Sequence, residues 1–180
     1  MADPGPSSTG SSLAVEVIRH AEIWDRIAMG DATLARAARA AFTAAPHARQ
    51  KTCEATIVLT DDAEMRALNR AWRGKDSSTN VLSFPAGYSP GAIVNEPRPL
   101  GDVVLAAETV FAEAADRDIP AADHAVHLVV HGMLHLFGFD HERDEDAEAM
   151  EALETKVLSA LRIADPYAED AQADPAEVSP

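Results

Sequence analysis

Five of the seven histidines in this 180-residue chain fall between positions 124 and 141: His124, His127, His131, His135 and His141. His131 and His135 are four apart in a stretch whose apolar pattern predicts a helix from Pro120 to about Phe137. Residues so spaced stand one helical turn above each other, about 5–6 Å between Cβ atoms. Two imidazoles there can reach one ion through bonds of about 2.0–2.1 Å. Gly138 is the expected helix stop, since helices commonly end on a glycine in the left-handed conformation. Beyond it the chain can turn and present His141 to the same ion. Three imidazoles leave one tetrahedral position for water, the arrangement of a catalytic rather than a structural zinc. Other transition metals also accept imidazole, so zinc is the preferred ion rather than the sole candidate. His124 and His127 stay outside this set; His127, four residues before His131, is either a partner of the ligands or a core residue.

The order His, His four later, Gly seven later and His ten later matches the zinc motif H-E-x-x-H-x-x-G-x-x-H of metzincin proteases. One position departs. Gly132 stands where those enzymes carry the Glu that takes a proton from the attacking water. The metal spacing therefore survives without the peptidase base. Cys53, the single cysteine, opens a predicted strand and reads as a small buried hydrophobe.

A second group of residues suits anions. The window 66–75 contains Arg66, Arg70, Arg73 and Lys75 and no acid. Basic residues in the last turn of a helix favour its dipole, which is one account of them. The other is that Arg73 and Lys75, just at the helix end, face a phosphate, whose oxygens match the planar fork of Arg.

The elements that must position these groups follow from periodicity. Residues 13–18 and 53–59 alternate and are β-branched, so they read as strands; 81–84 is a short strand stopped by Pro85, and 101–106 is a fourth. Residues 31–45 form an Ala- and Arg-rich helix ending before Pro46. Thr60 or Asp61 can cap a helix with Met65, Leu68 and Trp72 on one side. Residues 86–99 are rich in proline and read as an exposed loop. Helices are expected over 108–118, from Pro120 to about Phe137, and over 144–161, where Met150, Leu153, Val157 and Leu161 share a face. Four short strands among five to six helices make an α+β domain.

Composition bounds the function classes. One cysteine excludes a disulfide scaffold and suits a reducing cytosol. No apolar run approaches the ~20 residues of a membrane span, and the N-terminus lacks the basic and apolar parts of a secretory signal. Residues 1–12 read as a disordered tail and 164–180 as an acidic one, leaving 13–163 as a single domain. The net charge of −15 includes one acid in the first tail and five in the second, so the body retains −9. At face value this disfavours nucleic acid. Yet 12 of the 30 acids lie from Glu142 onward, while the 66–75 window is basic.

Four ordered motifs then carry a resemblance: Leu68-Asn-Arg-Ala-Trp-Arg73, Lys75-Asp-Ser-Ser-Thr-Asn-Val-Leu-Ser-Phe-Pro85, Leu100-Gly-Asp-Val-Val104, and the long histidine segment from His127 to Glu142. Together they resemble the YbeY family, bacterial metal-dependent endoribonucleases that act in ribosomal RNA maturation. Met150-Glu-Ala-Leu-Glu154 fits the same pattern, and the resemblance spans roughly residues 13–162. It implies a small mixed sheet and zinc held by His131, His135 and His141. It also implies that Arg73 is needed for cleavage of single-stranded RNA, with 16S 3′ end processing and ribosome quality control as the setting. Implied partners are rRNA and the ribosome or ribosomal proteins, in the cytoplasm and away from membranes. Lys75 would help hold the RNA backbone. The family often has Pro where this chain has Ser78, and the 86–99 loop is longer than in the shortest members. Two other classes compete with this reading: a ribosome assembly factor whose metal is chiefly structural, and a metallo-hydrolase of another substrate such as peptide.

Overall fold

The computed structural model describes residues 12–45, 52–87, 97–139 and 144–168 of the chain. The strands β1 (Ser12–Arg19), β2 (Thr52–Thr60), β3 (Val81–Pro85) and β4 (Arg98–Ala106) form one sheet in the order β1-β2-β4-β3. The first three neighbours in that order run parallel, and β3 lies antiparallel against β4 with Ser83 opposite Val103. Parallel neighbours need crossovers. Helix α1 (Asp31–Ala44) joins β1 to β2, while α2 (Asp62–Arg73) and β3 lie between β2 and β4. Helices α3 (Ala107–Asp116), α4 (Ala121–Leu136) and α5 (Asp144–Leu161) follow. The fold is thus the α+β domain with a mixed four-stranded sheet, and five α-helices are present among the described residues.

Alternate residues of a strand face opposite ways, and the sheet separates two unequal layers. Ile57, Leu59, Val103 and Leu105 enter the main core with Leu34 and Ala38 of α1, Val129 and Met133 of α4, and Leu158 of α5. Val58, Leu82 and Val104 point the other way, against Met65 and Leu68 of α2. Helices α2 and α4 therefore occupy opposite faces. Asp61 caps α2, its Oδ1 accepting from the Glu64 backbone N–H at 2.8 Å.

Three differences from the sequence expectation have physical reasons. Strand β4 begins at Arg98, inside the expected loop, because Pro99 sits opposite Glu54 where the β2–β4 register shifts, and a bulge tolerates proline. A short 3-10 helix, Glu22–Arg26, buries Trp24 completely, and its indole N–H donates to the Thr60 carbonyl at 2.9 Å. Trp72 falls on the same side of α2 as Met65, yet it is 72% exposed, because it sits in the last turn of α2 at the open groove, with its indole against Phe84 (ring centroids 5.6 Å). No described helix is long and apolar enough to cross a membrane.

Candidate functional site

Pro120 sets the extended turn before α4, and the helix then runs with Val126, Val129, Val130 and Met133 buried. It stops as the sequence requires. Gly138 has φ of +86°, the Gly138 N–H bonds the His135 carbonyl at 2.9 Å and the Phe139 N–H bonds the Leu134 carbonyl at 3.1 Å. This pair of reverse bonds is the Schellman arrangement. It folds the Phe139 carbonyl back over the last turn, where it accepts from His135 Nδ1 at 3.0 Å.

The partner of His131 comes from α5. His131 Nδ1 donates to Glu154 Oε1 at 2.7 Å, His127 Nε2 donates to Oε2 at 3.2 Å, and the Tyr167 hydroxyl also donates to Oε2. Glu154 is fully buried. Burial alone would raise its pKa, but the hydrogen bonds from His127 and His131, with the charge of His131 and the Tyr167 hydroxyl, outweigh it and hold the carboxyl at about 2. Glu154 is therefore a carboxylate and can only accept.

This fixes both imidazoles. A carboxylate and a carbonyl accept but do not donate, so His131 and His135 each carry the proton on Nδ1. Their Nε2 atoms stand together, 3.0 Å apart. Imidazole nitrogens placed side by side in this way form a donor set that fits a cation with imidazole affinity. Among the described residues no three His, Cys, Asp or Glu side chains form a metal-holding group. His141, the expected third ligand, lies outside the described residues, as do Asp140 and Glu142.

Gly132 has its own explanation. A Cβ at this position would meet Val103 Cγ1 at 2.6 Å and Ser83 Oγ at 3.0 Å. The Ser83 hydroxyl also donates to the Gly132 carbonyl at 3.0 Å. Helix α4 thus lies on β3 and β4 too closely for any side chain, and the Glu of the protease motif has no room there.

The basic residues lie elsewhere. Arg73 ends α2, the helix on the sheet face opposite α4, and Lys75 follows; both are exposed. Arg66 is occupied by a two-point ion pair with Asp76, at 2.8 and 2.9 Å. The structure brings together His131 and His135, with His127 beside them, while Arg73 and Lys75 stand at the C-terminal end of α2. Strand β3 connects the two regions: Phe84 faces Trp72 while Ser83 bonds α4. Beside α2 the bare part of the sheet forms an open groove of about 890 Å³, lined by Glu16, Glu54, Glu64 and Asp102, with no Lys or Arg in the lining among the described residues.

His124 is a core residue. It is buried, its Nε2 donates to Glu113 at 2.7 Å, and desolvation pushes its pKa down against the pull of that carboxylate. Sequence reasoning missed Glu154 and Tyr167. Glu154 was detectable, being an acid at helical spacing from Met150, Val157 and Leu161 on an otherwise apolar face. Tyr167 gave no such indication.

A mixed sheet carrying a helix with an oriented His-x-x-x-His pair defines an α+β protein whose two imidazoles could hold a metal ion. The family model for endoribonuclease YbeY matches residues 22–162. The endoribonuclease YbeY of Azorhizobium caulinodans is 49% identical over 156 residues, covering 87% of this chain and 97% of its own length. That of Parvibaculum lavamentivorans is 48% identical over 169 residues, covering 91% and 89%. That of Rhodospirillum rubrum reaches 58% over 118 residues, covering 64% and 59%. The chain belongs to the endoribonuclease YbeY family, whose substrate is RNA.

Proposed function

We propose that this chain is a zinc-dependent endoribonuclease that cuts single-stranded RNA during ribosomal RNA maturation, 16S 3′ end processing and ribosome quality control included, in the cytoplasm. The observation that carries the metal reading is the 3.0 Å convergence of two Nε2 atoms whose rings are each protonated on Nδ1. His131 and His135, joined by His141, would hold the ion. When bound, zinc supplies a Lewis acid for a phosphate oxygen or for the attacking water.

The remaining roles belong to the chain's own groups. Glu154 and the Phe139 carbonyl hold the two imidazoles in one tautomer and one orientation. Arg73 offers a planar pair of donors to the phosphate and offsets charge that builds on it. Lys75 holds the backbone nearby. Because α2 and α4 lie on opposite faces of the sheet, RNA held by both would pass round the edge strand β3. The acidic groove beside α2 repels phosphate and steers it away from the bare face of β1 and β2. A chain of net charge −15 holds bare RNA weakly, so contact with the ribosome or its proteins would add recognition.

The test is metal analysis and RNA cleavage by the purified chain beside His135→Ala and Arg73→Ala, with folding checked by circular dichroism. Stoichiometric zinc and cleavage of single-stranded RNA, the first lost in His135→Ala and the second in both variants, are expected. A folded His135→Ala that cuts RNA at the parent rate would refute the catalytic reading and leave the assembly-factor reading, in which the metal is structural.

A further inference from the structure

Helix α5 ends at Leu161, and Arg162, with φ of +65°, turns the chain back. The Ile163 N–H closes that turn on the Leu158 carbonyl at 3.0 Å. Asp165 then anchors the returning strand, its Oδ1 accepting from Thr155 Oγ1 at 3.1 Å and from the Tyr167 N–H at 3.0 Å. Seven residues of helix rise only about 10 Å, so the six residues after Leu161 suffice to bring Tyr167 level with Glu154. Its ring stands edge-on to His127 with centroids 6.1 Å apart, and its hydroxyl reaches Glu154 Oε2. Residues 164–168 belong to the expected acidic tail and lie beyond the part matched by the family model, which ends at 162.

We propose that Tyr167 is a positioning residue for the His131 imidazole, acting through Glu154. The carboxylate presents Oε1 to His131 only while something fixes its rotation, because the terminal torsion of Glu is broad. The groups that fix it are the donors on Oε2. Of these, His127 stands at 3.2 Å, the long end of the N–H···O range, so the phenol hydroxyl is the main restraint. Removing it leaves a buried carboxylate oxygen with one long bond, and such an oxygen turns to find another donor. The 2.7 Å bond to His131 Nδ1 relaxes with it, and the ring loses its single tautomer. A residue outside the family match thereby bears on His131.

The inference rests on the reading that His131 holds a metal, and its test has an arm that does not. The full chain is compared with Tyr167→Phe, which keeps the ring and deletes one oxygen. Zinc affinity is measured by competition with a chromophoric chelator, and the His131 ring nitrogens are followed by long-range proton–nitrogen NMR in the metal-free protein. Loss of a direct outer partner typically weakens metal binding about 10–100-fold; one bond further removed, Tyr167→Phe should weaken zinc about three- to tenfold. The NMR should show His131 moving from the Nδ1–H form to a mixture of tautomers. In a Glu154→Gln background the same change should add nothing. Unchanged affinity and an unchanged His131 tautomer in Tyr167→Phe would overturn the proposal, as would an undiminished effect in the Glu154→Gln background. If Glu154→Gln does not fold, the single variant still decides. If the parent binds no zinc, the metal reading fails separately, and the tautomer measurement decides the role of Tyr167.

Discussion

Replacing Gly132 by Ala tests how closely α4 must approach the sheet. The new Cβ would lie 2.6 Å from Val103 Cγ1, 3.1 Å from Cγ2 and 3.0 Å from Ser83 Oγ. Carbon atoms rest about 3.5–4.0 Å apart, so helix and strand must separate by about 1 Å. Val103 is fully buried and β4 is bonded on both sides, so the strand has little freedom to yield. Overpacking of this kind costs about 1–3 kcal/mol. Weakening the Ser83 to Gly132 hydrogen bond adds about 1 kcal/mol, and the better helix propensity of Ala returns about 1 kcal/mol. The net expectation is a loss of about 1–3 kcal/mol. Urea unfolding of Gly132→Ala should show a lower midpoint with an unchanged slope. The deciding arm is Val103→Ala, which opens the space the methyl needs. Combined with Gly132→Ala it should lose less than the sum of the two single losses, by at least about 1 kcal/mol. A Gly132→Ala chain more stable than its parent, as propensity alone demands, would refute the close-packing argument, and so would strict additivity with Val103→Ala.

Gly138→Ala places a Cβ at φ of +86° and should destabilise by about 1–2 kcal/mol, read as a lower melting temperature. It should also disturb the His135 Nδ1 signal, since the same turn carries the Phe139 carbonyl. His124 has a folded pKa lowered by burial, so below about pH 6.5 the unfolded chain binds a proton that the folded chain resists. Stability should fall as pH drops from there through the folded value, and His124→Gln should flatten that slope in denaturant titrations at successive pH values. Of the two tryptophans, Trp24 is fully buried and Trp72 is 72% exposed. Trp72→Phe should therefore leave blue-shifted emission that acrylamide barely quenches, with stability within about 1 kcal/mol of the parent.

Much of the site was legible because helical spacing is a strong constraint. The four-residue interval of His131 and His135 and the stop at Gly138 translate directly into a shared turn and a reversed chain. Gly132 was legible only as a missing Glu; its cause, the surface of Val103, lies 29 positions away and needs the packed sheet to be seen. Glu154 was half legible. Its helical register marks it as buried, but its partners stand on another helix, 23 and 27 residues earlier. Tyr167 sits among acids and prolines that read as tail, and only the reversal at Arg162 turns it toward α5. For the strands, alternation located β1, β2 and β3 well, whereas Pro97 and Pro99 hid the start of β4 because tolerance at a bulge depends on the neighbouring strand. The placement of α2 and α4 on opposite faces could not be read at all, since facing depends on which side of the sheet each crossover takes.

The strand order has a consequence for when the chain becomes competent during synthesis. β1 and β2 can pair as soon as residue 60 has been made, but β3 finds its partner only when β4 emerges and takes its place between β2 and β3. Helix α4 then needs that finished pair to lie on, through Val103 and Ser83, and His131 needs α5 before its Nδ1 proton has an acceptor. Assembly of the imidazole pair is therefore among the last events along the chain. A copy cut short before residue 154 would own both histidines and a complete sheet, yet leave the His131 ring without the carboxylate that orients it in the whole molecule.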